Sequence, residues 1–445
     1  MELNVQHQDQ DDKKSNHSEQ NPTHDCVFGE LTEEGPNYRN VGFVGTVVLM
    51  MKTQIGLGVL AVPTAFDTLG IVPGVICLSL VACIITWSNC VIGTFKLNHP
   101  EIYSIDDAGA LIFGRIGRGV LSVAFCLYWI FVVGSGALGI SIGLNSITSH
   151  GTCTASQVSW GLHAVACGHL EGSPVMIIVI AVGIQDRPAS APLTDTPWVS
   201  DYQIIAHPSF TQGIAAVSKI VFALSGTPGF FAIVSEMRDP RNYTQAVLIC
   251  QITVTAVFMT IGCVVYYYCG SYVASPALGS AGGIIKKISY GFAMPGLIVT
   301  TTICTHIPAK YIFVNLLRGS RHLNRSTPTH WMVWISCTLG VTVIAYIIAS
   351  TIPVFNSLVS LIGALLGTMM CFQPMGCMWL FDNWEKGRDS SRFWLPKVCW
   401  AVCVIACGCF LTVAGTYSSV VGIMVDYEKS GGSAAFSCAD NSNST

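Results

Sequence analysis

The chain has 445 residues, 51% of them hydrophobic and only 11% charged, against a charged share of about a quarter in ordinary soluble domains. Its 22 basic and 25 acidic residues supply no basic field, which excludes nucleic acid as an electrostatic partner. The composition is that of an integral membrane protein with membrane lipids as its surroundings.

Residues 1–40 are polar and contain no apolar run of the kind a signal peptide needs, so they read as a disordered tail. Apolar runs of about 20 residues or more, enough to cross a bilayer, follow at 41–69, 71–95, 117–148, 214–234, 244–270, 288–317, 331–352, 354–381 and 398–425. A shorter apolar patch covers Val175 to Ile184. The transmembrane domain is thus expected over 41–427, with a short extracytoplasmic tail at 428–445.

The distribution of basic residues sets an orientation. With a cytoplasmic N-terminus and an even number of crossings within 155–184, sixteen Lys and Arg lie inside and four (Arg187, Lys286, Lys287 and Lys429) outside, with Lys52 and Lys219 in spans. A single crossing there would give ten on each side. Yet Ala155 to Ile184 is 30 residues, short of the roughly 40 that two crossings and a turn require. Glycines, His163, His169, Glu171 and Pro174 also interrupt it, so this region either dips in and out without spanning or lacks a piece, the second being the favoured expectation. The 19 cysteines form no CxxC pair and read as small buried hydrophobes. Cys153, Cys269 and Cys438, near the expected outer face, leave room for a bridge whose pairing sequence does not fix.

Two of the apolar runs are broken. The first carries Lys52-Thr53-Gln54-Ile55-Gly56-Leu57-Gly58 at its centre, which puts a lysine about 17 Å into a helix. The second carries Ser225-Gly226-Thr227-Pro228-Gly229, where glycines and a proline weaken the helix and remove a donor. Interrupted backbone at membrane depth is tolerated where it faces protein or a polar cavity. A pair of such breaks, one early in each half of a chain, marks a binding site in inverted-repeat transporters.

At these residues, and on into Ser235-Glu236-Met237-Arg238-Asp239-Pro240, the chain resembles fungal neutral amino-acid permeases of the amino acid/auxin permease family, within the APC superfamily. The resemblance covers about residues 40–427. It implies an all-α polytopic protein of the LeuT type, a five-plus-five inverted repeat with discontinuous first and sixth helices and 10–11 spans. It further implies proton-coupled import of neutral aliphatic or aromatic amino acids, with sodium the less favoured ion, by a monomer in the plasma membrane or, failing that, the vacuolar membrane. No enzymic cofactor is required.

Backbone physics joined to that resemblance assigns a site. N–H groups freed at Ile55, Gly56, Leu57 and Gly58 would meet a substrate carboxylate at a helix N-terminus. Carbonyls released at Ala223, Leu224 and Ser225, beside Gly226, would accept its ammonium protons. Tyr128, with Trp129, is a candidate for the side-chain pocket, against core packing as the plain alternative. Lys52 is a candidate for ion coupling, against snorkelling or pairing with a carbonyl. Thr301 and Thr302 join it because the corresponding span of LeuT-type carriers flanks an ion site. Tyr266-Tyr267-Tyr268 reads as an interfacial aromatic belt, and Glu236 with Arg238 and Asp239 as an ion-paired cap or inner gate. Motifs of hydrolases, metalloenzymes and nucleotide-binding loops are absent from the sequence, which argues against an enzyme. An amino-acid sensor on the same fold, or a transport-defective short form, is the alternative.

Overall fold

The computed structural model describes residues 24–25, 29–30, 41–56, 58–149, 187–192, 197–317, 320, 322, 327–352, 354–385 and 394–429. Among them, eight helices are long and apolar enough to cross a bilayer, and a bent pair supplies a ninth. That pair is α1 (Phe43–Gln54) and the segment Gly58–Leu69, whose regular part is α2 (Val62–Leu69), set at 45° to one another. α3 (Ile71–Asn98) and α4 (Ile105–Thr148) follow. The second broken span is α5 (Phe210–Leu224) and α6 (Thr227–Glu236). Then come α7 (Tyr243–Cys269), α8 (Gly283–Leu317) and α9 (Pro328–Thr351). A composite span follows, built from α10 (Phe355–Leu361), a π-helical stretch Ile362–Gly367, α11 (Thr368–Cys371) and α12 (Gln373–Asn383). α13 (Trp394–Lys429) closes the domain. The expected short span within 155–184 lies outside the described residues. So do Cys153 and Cys438, while Cys269 is a buried free thiol.

The helices sort into two bodies. α1, α2 and α3 pack on α7, and α4 packs on α8 and α9. Small residues allow the second set to approach closely: a Cβ on Gly134 would meet the Ala345 carbonyl at 3.2 Å, and Gly136 faces Thr301. In the first set, the fully buried Phe66 of α2 wedges between Gly74 of α3 and Gly262 of α7. α13 uses one face only, against α5, the π-helical stretch and α12. Its Cys399, Cys403 and Cys409 are therefore exposed, which corrects the expectation of burial. In a bilayer such positions meet lipid, so an apolar residue costs nothing there.

The corner between α2 and α3 is Gly70, at φ +87°, where a Cβ would lie 2.6 Å from the Ala206 nitrogen. The loop before α5 straps onto that corner. The N–H groups of Ile71 and Val72 donate to the carbonyls of Gln203 and Ile204, at 3.1 and 3.0 Å, and that of Ala206 donates to Leu69, at 3.1 Å. Tyr266 is 2% exposed and accepts the Gln203 N–H. It is thus part of the strap and not of an aromatic belt, whereas Tyr267 and Tyr268 are exposed. The strap puts residues 203–206 on the face where α2 ends. α3 and α4 run away from that face and back toward it; the crossings expected within 155–184 lie outside the described residues.

At the opposite face, Val41 donates to the Glu236 carbonyl, at 3.2 Å, and accepts from the Arg238 N–H, at 3.0 Å. Glu236 pairs with Lys310 of α8, at 3.9 Å, and not with Arg238 among the described residues. Asp239 instead caps the turn that follows, accepting from the Arg241 N–H at 3.1 Å.

Candidate functional site

Both breaks adopt one local geometry. α1 ends at Gln54, Ile55 sits at φ −80°, ψ 83°, and the Gly56 N–H donates back to the Gln54 carbonyl at 3.0 Å. α5 ends at Leu224, Ser225 sits at φ −79°, ψ 55°, and the Gly226 N–H donates to the Leu224 carbonyl at 2.9 Å. Each is an inverse γ-turn, a three-residue reversal that halts a helix without a long loop.

The two turns cross face to face. An ideal Cβ on Gly58 would come within 3.0 Å of the Ala223 carbonyl oxygen, and one on Gly226 would lie 2.6 Å from Cγ of Gln54 and 2.8 Å from the Thr53 hydroxyl. Each break thus presents a glycine to the other's helix end. Gly229, one turn beyond Gly226, faces the Trp129 ring of α4, which an ideal Cβ there would meet at 3.4 Å. The Tyr128 hydroxyl donates to the Ser225 carbonyl.

Ile55, Gly56, Gly58, Ala223, Leu224, Ser225, Gly226 and Tyr128 therefore meet at one crossing; Leu57 lies outside the described residues. Two details differ from the sequence expectation. The Ile55 N–H is held by the Met51 carbonyl at 2.7 Å and that of Gly56 by its γ-turn, so neither is free for a carboxylate. Among the described residues, the N–H groups of Gly58 and Val59, which open the second half, donate to no carbonyl. On the other side, the Leu224 carbonyl is engaged by Gly226 and that of Ser225 by Tyr128, while that of Ala223 turns toward Gly58.

Thr301 and Thr302 stand apart from the break. Their hydroxyls donate to the carbonyls of Leu297 and Ile298, each at 2.8 Å, and Thr301 packs on Gly136 of α4. Thr300 is the threonine at the break, with its Cγ2 3.0 Å from an ideal Cβ on Gly56. Successive helix residues point about 100° apart, and adjacency in sequence cannot resolve which of three faces a neighbour. Lys52 lies half-buried in the last turn of α1, where a cation complements the helix dipole.

Sequence reasoning passed over one group. Gln54 is 2% exposed, and among the described residues neither its amide nitrogen nor its amide oxygen has a partner. The Trp129 indole N–H is likewise buried and unpaired. An unmade buried hydrogen bond costs about 1–3 kcal/mol, so this amide and this indole are groups at the crossing with hydrogen bonds still to offer. The signal was a polar amide just before the first break.

Two membrane helices broken at mid-depth, crossing through reciprocal glycines and offering unpaired polar groups there, define a broken-helix solute carrier. Solved structures agree on the fold: Mhp1 in its inward-facing conformation (TM-score 0.53, 13% identity, covering 93% of this chain and 97% of that one) and MhsT in complex with L-phenylalanine (TM-score 0.51, 10% identity, covering 86% and 98%). These are LeuT-type transporters. The family described as transmembrane amino acid transporter protein matches residues 39–170 and 172–421. The chain is 32% identical to a transmembrane transporter of Fusarium pseudograminearum, covering 95% of this chain and 93% of that one. It is 30% identical to the N amino acid transport system protein of Neurospora crassa, covering 92% and 91%. This chain belongs to the transmembrane amino acid transporter family.

Proposed function

We propose that the protein imports neutral amino acids by proton symport, with alternating access around the crossing of the two broken spans. The chemistry of that crossing carries the reading. The side chains named there are hydroxyls, an amide, aromatic rings and aliphatic groups, with no carboxylate or guanidinium to match a charged substrate side chain. The substrate carboxylate is read at the N–H groups of Gly58 and Val59, and its ammonium at the Ala223 and Ser225 carbonyls, each of which keeps a lone pair to offer. Thr301 and Thr302 donate their hydroxyl protons within their own helix, which leaves the oxygen lone pairs to meet a cation, and we keep both as candidates for ion coupling. Lys52 we assign to the dipole end of α1. The basic-residue count supports a cytoplasmic N-terminus, and the resemblance to fungal permeases supports the plasma membrane.

The test is uptake of labelled leucine and phenylalanine by transport-deficient cells expressing this chain, with surface expression followed in parallel. Saturable uptake that unlabelled neutral amino acids compete away, and that a protonophore abolishes, is the expected result. Binding without uptake would convert the reading to that of a sensor.

A further inference from the structure

The strap that ties α2 to α5 is unlike a loop that lies in water. Between Pro197 and Phe210 it holds no Lys, Arg or Glu, the residues that water-facing positions favour. Its one carboxylate, Asp201, accepts from the Ser271 N–H and hydroxyl. Its large apolar side chains point outward instead: Val199 is 81% exposed, Ile204 61% and Ile205 55%, and Tyr202 is exposed as well.

The end of α7 extends this surface. The rings of Tyr202 and Tyr267 stand 4.8 Å apart and those of Tyr267 and Tyr268 5.5 Å apart, while the Trp198 indole donates to the Tyr268 carbonyl at 3.2 Å. Exposed apolar residues gathered into one patch mark an interaction surface.

The position of the patch identifies its partner. The Val72 N–H donates to the Ile204 carbonyl, which sets Ile204 against the first turn of α3. On α3, Val72, Ile76 and Leu80 form an exposed apolar stripe at four-residue spacing, the side of a membrane span that meets lipid. The apolar run of that helix starts at Ile71 and ends at Phe95, a length of about 37 Å. A hydrocarbon core of about 30 Å centred on the run has its edge about 4 Å from Ile71. The strap therefore lies where acyl chains give way to headgroups, the layer in which Tyr and Trp concentrate. We propose that residues 198–205, with Tyr267 and Tyr268, are a membrane-seated surface whose partner is the lipid of the leaflet on that face. Acyl chains cover Val199, Ile204 and Ile205, and ester and headgroup oxygens meet the tyrosine hydroxyls. Since the strap holds the Leu69 carbonyl and leads into α5, lipid packed on it touches the ends of both broken spans at once.

The test uses the full chain in phosphatidylcholine nanodiscs that carry a photoreactive phosphatidylcholine, its diazirine placed either near the glycerol end or near the terminal methyl of one acyl chain. After illumination, peptide mapping is expected to find adducts of the shallow probe on 198–205 and 267–268, and adducts of the deep probe on α3 near Leu80. Ile204→Asn combined with Ile205→Asn changes two exposed side chains. It is expected to lose the shallow adducts on the strap and to keep those on α3, which report that the variant still embeds. If that variant fails to embed, Val199→Asn, at the most exposed of the three apolar positions, is read in its place. Adducts on α3 with none on the strap would overturn the proposal, as would strap adducts that the substitutions leave unchanged. Cross-links between two copies of the chain through 198–205, in place of lipid adducts, would also overturn it and assign the patch to a second copy.

Discussion

Gly58 and Ala223 touch through their backbones: an ideal Cβ on the glycine would lie 2.6 Å from the Cα of the alanine. Backbone cannot swing aside as a side chain can, so Gly58→Ala must push the two broken spans apart. Uptake is expected to fall at least tenfold at normal surface expression. Gly56→Ala meets only the Thr300 methyl group, at 3.0 Å, and is expected to lower uptake a few-fold, with Gly56→Leu abolishing it. Paired uptake and surface-labelling assays of the three variants check the order.

Tyr128→Phe keeps the ring and deletes the donor to the Ser225 carbonyl. Leaving that acceptor unmet costs about 1–3 kcal/mol, or about 5- to 150-fold in an equilibrium constant. KM for leucine is expected to rise within that range. An unchanged KM would remove Tyr128 from the site.

Gln54→Leu separates folding from function. The amide has no partner among the described residues, so an apolar replacement of similar size is expected to leave thermal stability unchanged or higher. If substrate or its hydration completes that amide, affinity falls about tenfold in the same variant. Thermal unfolding of the detergent-solubilised protein, set beside its substrate titration, reads both.

The strap resists acid. Burial raises the Asp201 carboxyl, but hydrogen bonds from the Ser271 hydroxyl (2.5 Å) and N–H (2.8 Å) outweigh it and hold the group below its ordinary value. A depressed carboxyl stabilises the folded state above its unfolded value, about 3.9, and that contribution is lost only as pH falls through the lower folded value. Amide exchange at Ser271 is therefore expected to stay slow from neutral pH down to about pH 4, and Asp201→Asn to speed it at neutral pH.

Much of this was legible in the sequence, because a bilayer turns glycine, proline and charge into strong signals. The breaks at Gly56–Gly58 and Gly226–Gly229 could be read from composition alone. What escaped was orientation. Nothing in Thr300-Thr301-Thr302 says which threonine faces Gly56 until the rotation of α8 is known. The engagement of the Ile55 and Gly56 N–H groups also escaped, since a tight γ-turn consumes donors that a wider break would release. Tyr266 looked interfacial because its two successors are; its burial depends on a loop more than 60 positions earlier in the chain.

The broken spans are tied together at both extremities. The strap fastens the end of α2 to the segment leading into α5, and Val41 joins the start of α1 to the exit of α6. A tilt of α2 would therefore pull on α5, and a tilt of α1 on α6. The pair is built as a double-jointed clasp whose joints are the two three-residue turns, and on the function proposed above the solute would sit at those joints.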